Sequence, residues 1–172
     1  METNWHTVVP TPLGRLTLVR DDDALRGLYY PNHWYSPDPA TFGPRRDVGF
    51  ADAVGQLDEY LAGRRTEFDM EAAPRGSGFQ HRVWDLVREV PYGETVSYGE
   101  LARHLGHEAT AQHVGAAVGR NPLCIVIPCH RVVGATGKLT GYAGGHTRKR
   151  FLLELERSFR SHGSGARGVS LP

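Results

Sequence analysis

Apolar residues recur at every second position in LTLV at 16–19 and again through LRGLYY at 25–30, with the acidic stretch DDDA at 21–24 between them. A period of two marks a half-buried strand, so this region predicts a β-hairpin or meander. PNHWYSPDPATFGP at 31–44 has no period and is rich in proline, which predicts an irregular loop tolerant of change. The period then becomes helical: Phe50, Val54, Leu57 and Leu61 fall on one face, and Gly63 is placed as a C-terminal stop. Such a helix needs a surface to cover, and the small sheet is the nearest one. The mainly polar stretch RRTEFDMEAAPRGSG at 64–78 predicts a link to a second unit.

Beyond the link the pattern is mostly helical. Phe79, Val83, Leu86 and Val87 form a stripe that ends before Pro91 and Gly93. Ser97 and Glu100 have the spacing of a capping box and open a helix that runs through Leu101 and Leu105 to Gly106. Thr110 caps the next helix, which carries Val114, Ala117 and Val118 and stops at Asn121 and Pro122. Two short helices across a tight turn describe a helix-turn-helix, a pattern shared with ordinary helix pairs. The run IVI at 125–127 reads as a buried strand with PCHRV at its end. HTRKRFLLELERS is expected to bury Phe151, Leu152 and Leu155, and SHGSGARGVSLP to form a flexible tail. The fold class is therefore α+β. An N-terminal antiparallel sheet with a helix occupies 1–75, a mostly helical unit containing the helix-turn-helix occupies 76–160, and the tail is 161–172.

With 172 residues, 40% of them hydrophobic, the chain can build a real core as one large or two small domains. It has no apolar run of about 18 residues, so no membrane span is expected. METNWHTVVP lacks a basic segment followed by an apolar one, which argues against secretion. The two cysteines, Cys124 and Cys129, fit neither a disulfide framework nor a CxxC zinc pattern, and a reducing cytoplasm suits them. The net charge of +1 hides an asymmetry. Residues 1–75 carry 8 Lys/Arg against 12 Asp/Glu, whereas 98–160 carry 9 against 4. The second unit is the better match for a polyanion, although charge runs are often only solvated faces.

Candidate chemistry concentrates at Cys129, whose neighbour is His130. A cysteine is a strong nucleophile only as its thiolate, and an adjacent base or cation is what lowers its pKa. The competing reading is a packing residue, since free cysteine is among the most buried residue types. Glu156, by spacing alone, is a solvated charge on an amphipathic helix.

FQHRVWDLVREVPYGETVSYGELA at 79–102, VGAAVGRNP at 114–122, IPCHRVVG at 127–134 and GYAGGHTRKRFLLELE at 141–156 together resemble the O6-alkylguanine-DNA alkyltransferases, single-turnover DNA repair proteins. TPLGRLTLV at 11–19 resembles the start of that family's first domain more weakly. The resemblance implies that Cys129 accepts the alkyl group, that His130 takes the thiol proton through an ordered water, and that Glu156 orients the imidazole. It makes Tyr98 the donor to the guanine ring nitrogen, and Asn121 the link between the second helix and the active-site turn. Leu139, Tyr142, Ala143 and Gly144 become the binding loop. The Ala143 N–H would meet the alkylated oxygen, and the carbonyls of Cys129 and Val132 the guanine amino group. Tyr98, His107, Gln112 and Arg120 are the positions expected to meet DNA. One departure stands out: where the family inserts an arginine into the base stack, this chain has Gln112. The implied partner is double-stranded DNA carrying O6-alkylguanine, met by a monomer without metal or cofactor. Some relatives hold zinc through cysteines of the first domain, and this chain has none there.

Three other classes remain open at this level. An alkylguanine sensor would lack the nucleophile that Cys129 supplies, but Gln112 in place of the arginine keeps open a sensing protein with weak or altered transfer. A helix-turn-helix regulator would leave that thiol inert, and a cysteine hydrolase would turn over and need an oxyanion hole.

Overall fold

A computed structural model of the chain describes residues 3–106 and 109–162. The N-terminal sheet has three antiparallel strands in the order β1 (Trp5–Thr11), β2 (Gly14–Arg20), β3 (Leu25–Tyr29). Leu16 and Leu18 of the central strand are wholly buried, as the alternation predicts. No alternation foreshadows β1; it contains Pro10, which an edge strand tolerates because one of its sides has no ladder to lose. The acidic turn is closed by Asp21, whose Oδ1 accepts from the backbone N–H of Asp23 and of Ala24.

Helix α1 (Ala51–Leu61) buries Ala53, Leu57, Tyr60 and Leu61, and Gly63 follows it at φ +77°, the left-handed conformation that the stop requires. The 64–78 connector is not a slack link. Leu25 N–H donates to the Glu71 carbonyl and Ala73 N–H to the Leu25 carbonyl, so the connector lies along β3. The 31–44 loop is also fastened, with Phe42 stacked 5.2 Å from Tyr29 and Trp34 N–H bonded to the Ala143 carbonyl at 3.0 Å. Composition registers their irregular backbone but not these long-range attachments.

In the second unit, α2 (Gly78–Arg88), α3 (Tyr98–Leu105) and α4 (Ala111–Gly119) pack together. The capping box forms: Ser97 Oγ accepts from Glu100 N–H at 3.1 Å, and Glu100 Oε2 from Ser97 N–H at 2.9 Å. Thr110 caps α4 through His113 N–H. Trp84 of α2 fills the space between the helices, 1% exposed, its indole N–H bonded to the Ala117 carbonyl at 2.9 Å. Two short strands, β4 (Val96–Ser97) and β5 (Val132–Val133), pair in parallel and join the start of α3 to the residues just after PCHR.

The IVI run departs from expectation. Residues 123–127 form a turn, with Ile127 N–H bonded to the Leu123 carbonyl and Ile125 at φ +74°, and Cys129–Arg131 is a 3₁₀ turn rather than the end of a strand. Pro122 and Pro128 bracket the segment without N–H donors. Asn121 closes it by taking Leu123 N–H and giving to the Ile127 carbonyl, each at 2.9 Å. The run is apolar because it is buried, and a short apolar run cannot distinguish that from strand.

Helix α5 (His146–His162) includes Ser161 and His162, assigned above to the tail; residues 163–172 lie outside the described residues. Its buried positions include Lys149, Leu152, Leu153 and Glu156, whereas Phe151 is 36% exposed. The buried face is thus rotated from the one that hydrophobicity alone selects. Trp84→Ala should lower unfolding free energy by about 3–5 kcal/mol, and Trp84→Phe by less, when urea midpoints are compared.

Candidate active site

Cys129 sits in the 3₁₀ turn with 4% of its surface exposed. The turn is held from below by Asn121, which faces the sulfur as well as the Ile127 carbonyl. The Cys124 thiol donates to Cys129 and thereby holds its pKa below the ordinary value; burial opposes this, while the Asn121 amide and the Lys149 charge assist. In return, the bond to Cys129 and burial push the Cys124 thiol well up, so it stays protonated. Cys129 is therefore the member of the pair that ionises. Cys124, a buried core thiol, is the neighbour that favours this ionisation.

Lys149 also lies in the site, although no motif in the sequence singles it out. It is fully buried on α5, and its Nζ donates to the Val132 carbonyl at 2.6 Å and approaches Thr140 Oγ1 at 3.4 Å. Burial lowers its pKa to about 8, against the pull of the Cys129 thiolate. The ammonium ties the strand after Cys129 to the 139–144 loop. It also occupies one lone pair of the Val132 carbonyl, while the Cys129 carbonyl accepts from Val132 N–H. Each oxygen retains a second lone pair for the role that the resemblance assigns.

His130 and Glu156 are both wholly buried and meet at 2.8 Å, Nε2 to Oε2. A carboxylate accepts only, so Nε2 carries the proton and Nδ1 of the neutral ring holds a lone pair. That Nδ1 is buried and has no protein partner. The surface reading of Glu156 is overturned. Its Oε1 takes Arg131 Nε at 2.8 Å and Gly93 N–H at 3.3 Å, and its Oε2 takes Arg131 Nη2 at 2.9 Å and the Tyr60 hydroxyl. Burial alone would raise this carboxyl, but His130 and Arg131 outweigh it and hold the group well below the usual range. Burial, partly offset by Glu156, lowers the His130 pKa. The two shifts belong to different pH: near neutrality the imidazole is neutral, and in acid, where the carboxyl would titrate, it is charged.

Tyr98, at the first position of α3, accepts from Thr140 Oγ1 at 2.9 Å and keeps its own proton for another partner. Burial, and the nearby Cys129 charge, raise its pKa despite the Thr140 bond, so it remains a donor. Tyr142 is buried and bonds Tyr30 hydroxyl to hydroxyl at 2.8 Å. At Gly144 an added Cβ would lie 2.6 Å from the Tyr30 ring, so only glycine fits. Leu139 is half-buried and Ala143 buried in the same loop. Gln112 and Arg120 are exposed at the two ends of α4, and the Arg120 guanidinium lies 4.2 Å from the centre of the Tyr35 ring. His107 falls outside the described residues. Among those residues no three His, Cys, Asp or Glu side chains converge as a metal site. None of their helices is long and apolar enough to cross a membrane.

Residues 78–158 match the DNA binding domain of 6-O-methylguanine DNA methyltransferase, and residues 4–74 its ribonuclease-like domain. Methylated-DNA--protein-cysteine methyltransferases of Mycobacterium tuberculosis are 49% identical over 154 residues, covering 89% of this chain and 92% of the relative. This chain belongs to the 6-O-methylguanine DNA methyltransferase family. The Mycolicibacterium paratuberculosis member is 51% identical over 88% of the chain and 92% of its own length. A crystal structure of the Mycobacterium tuberculosis protein OGT in complex with DNA superposes with a TM-score of 0.84 at 48% identity, over 90% of this chain and 93% of that one. An archaeal methyltransferase from Methanococcus jannaschii, 26% identical, covers 88% of this chain and 93% of its own with a TM-score of 0.62.

The signal that points to Lys149 is its register, three and seven residues before Leu152 and Glu156 on one helix face. Tyr60 carried none. A carboxyl depressed in the fold contributes stability above its unfolded value of about pH 4.3, and that contribution is lost as pH falls towards the folded value. Glu156→Gln, which strands Arg131, is expected to cost about 3–5 kcal/mol at pH 7 and to flatten the acid limb of a stability–pH curve measured by urea unfolding.

Proposed function

We propose that the chain repairs DNA by direct reversal, moving the alkyl group of O6-alkylguanine onto Cys129 in one irreversible event. The observation that carries the reading is Cys129 itself, set beside a donating thiol, an amide and an ammonium, with a neutral imidazole next to it whose far nitrogen is held by a buried carboxylate. The DNA complex of the mycobacterial relative supports the same polyanionic partner for this chain. Every side chain invoked comes from one chain, so the reading needs only a monomer.

The thiol proton of Cys129 passes to His130 Nδ1, and Glu156 stabilises the imidazolium that forms. The thiolate attacks the alkyl carbon from the side opposite oxygen. A C–S bond forms, the C–O bond breaks, and its electron pair remains on the guanine. Tyr98 donates to the ring nitrogen as that negative charge develops, and the Ala143 N–H meets the oxygen. The product is a thioether, which no nearby group cleaves, so each molecule acts once.

The target carbon lies inside a duplex and must be extruded, at a cost of a few kcal/mol. Gln112, exposed at the start of α4, matches by the resemblance the position from which the family's arginine enters the stack. It is long enough to fill the gap and can hydrogen-bond the orphaned base. It lacks the charge, which is worth roughly 1 kcal/mol near phosphates.

Intact-mass analysis after incubation with O6-methylguanine DNA should find one added methyl on Cys129, stoichiometric and absent in Cys129→Ser. Continuing product formation would instead mark a hydrolase, and no adduct a sensor or regulator. Gln112→Arg should speed transfer from duplex over transfer from single strands by about fivefold; an unchanged ratio in quenched-flow assays removes Gln112 from the flipping step.

A further inference from the structure

Tyr60 belongs to α1, in the N-terminal unit, yet its hydroxyl reaches the centre of the site 70 residues away in sequence from His130 and 96 from Glu156. The side chain is wholly buried, set edge-on to Tyr92 at 6.1 Å and tilted against Phe68 at 5.2 Å. Its hydroxyl donates to Glu156 Oε2 at 2.5 Å, the same oxygen that receives His130 Nε2–H, and stands 3.4 Å from Nε2 itself. We propose that Tyr60 is a positioning residue of the alkyl-transfer site, which occupies part of the Glu156 carboxylate so that this group orients His130 without keeping it protonated. The inference rests on the alkyl-transfer reading and assigns the N-terminal unit a direct part in it.

A general base must be neutral before it can take a proton. An imidazole bonded to a bare, desolvated carboxylate becomes a permanent imidazolium, because each charge stabilises the other in a low dielectric. Donors that share the carboxylate weaken that pull. Arg131 supplies two, Gly93 N–H a weaker one, and Tyr60 the shortest, on the oxygen that faces His130. Besides Glu156 and Tyr60, the ionisable groups facing the imidazole or its carboxylate are Cys129 and Arg131 on the same turn, Lys149 on α5 and Tyr92 beyond α2. Arg131 and Lys149 both disfavour an imidazolium. Tyr60 adds to this effect without adding charge. The 3.4 Å approach of its oxygen to Nε2 would work in the opposite sense by accepting from the ring, but the 2.5 Å donation is much the stronger contact.

The test is Tyr60→Phe, which keeps the ring packing and deletes the hydroxyl. The pH dependence of methyl transfer to Cys129 and the imidazole carbon shifts of His130, labelled at the ring and titrated by NMR, are both measured. The expected result is that the His130 titration and the acid limb of the transfer profile move together to higher pH. The transfer rate at pH 6 should fall by roughly tenfold, while the rate at pH 8.5 stays near that of the parent. A His130 titration that superposes on the parent's, or moves to lower pH, overturns the proposal, as does an equal loss of rate at every pH. The NMR titration needs no substrate, so the Tyr60 inference is read even where the parent transfers no methyl group, an outcome that would fall on the function instead.

Discussion

A carboxylate without access to water is tolerated only when donors satisfy both oxygens and a cation balances its charge, because desolvating it costs several kcal/mol otherwise. Glu156 is such a group, and meeting its demand shapes the centre of this protein. Arg131 is drawn inward from the PCHR turn and anchored to the Val90 carbonyl at 2.7 Å as well as to the carboxylate. His130 is turned so that Nε2 faces Glu156, which leaves Nδ1 with the lone pair. Tyr60 brings α1 against the second unit, and Gly93 N–H brings the turn after α2. One buried charge therefore sets the tautomer of the base and draws the two halves of the chain together.

A second cation performs a similar task on the other side of the turn. Lys149 lies about two helical turns before Glu156, so one face of α5 carries an ammonium toward the strand after Cys129 and a carboxylate toward His130. The 3₁₀ turn between them holds a thiol whose ionised form is favoured by donors and by nearby positive charge. Around the sulfur stand three phenols, Tyr30, Tyr98 and Tyr142, each pushed up by burial and by the Cys129 charge, so each remains protonated. A thiolate formed at this buried position would be shielded from water.

Much of this was legible where the physics is local. The capping box at Ser97 and the Thr110 cap depend on groups three residues apart, and both form as the spacing predicts. Leu16 and Leu18 followed their alternation, and Gly63 its stop. The IVI run misled because burial and extension leave the same apolar signature; two prolines and the Asn121 side chain chose a turn. Phe151 misled for a related reason. Hydrophobicity predicts the inner face of a helix only when no buried charged groups compete for that face, and here Lys149 and Glu156 do. The 64–78 connector looked slack because its attachments, at Leu25, are to a strand nearly fifty residues earlier.

The amino-acid order by itself determined the nucleophile, its neighbouring base, the helix-turn-helix and the α+β plan, since each is written in residues close together or in blocks that a family shares. By the resemblance, it also sets Gln112 where the family carries an arginine. The tertiary structure alone decided that Glu156 is a buried anchor and not a solvated charge, that Cys124 serves Cys129, and that Lys149 and Tyr60 belong to the site. Those roles arise from desolvation and from contacts across the whole length of the chain, and a pattern of neighbours encodes neither.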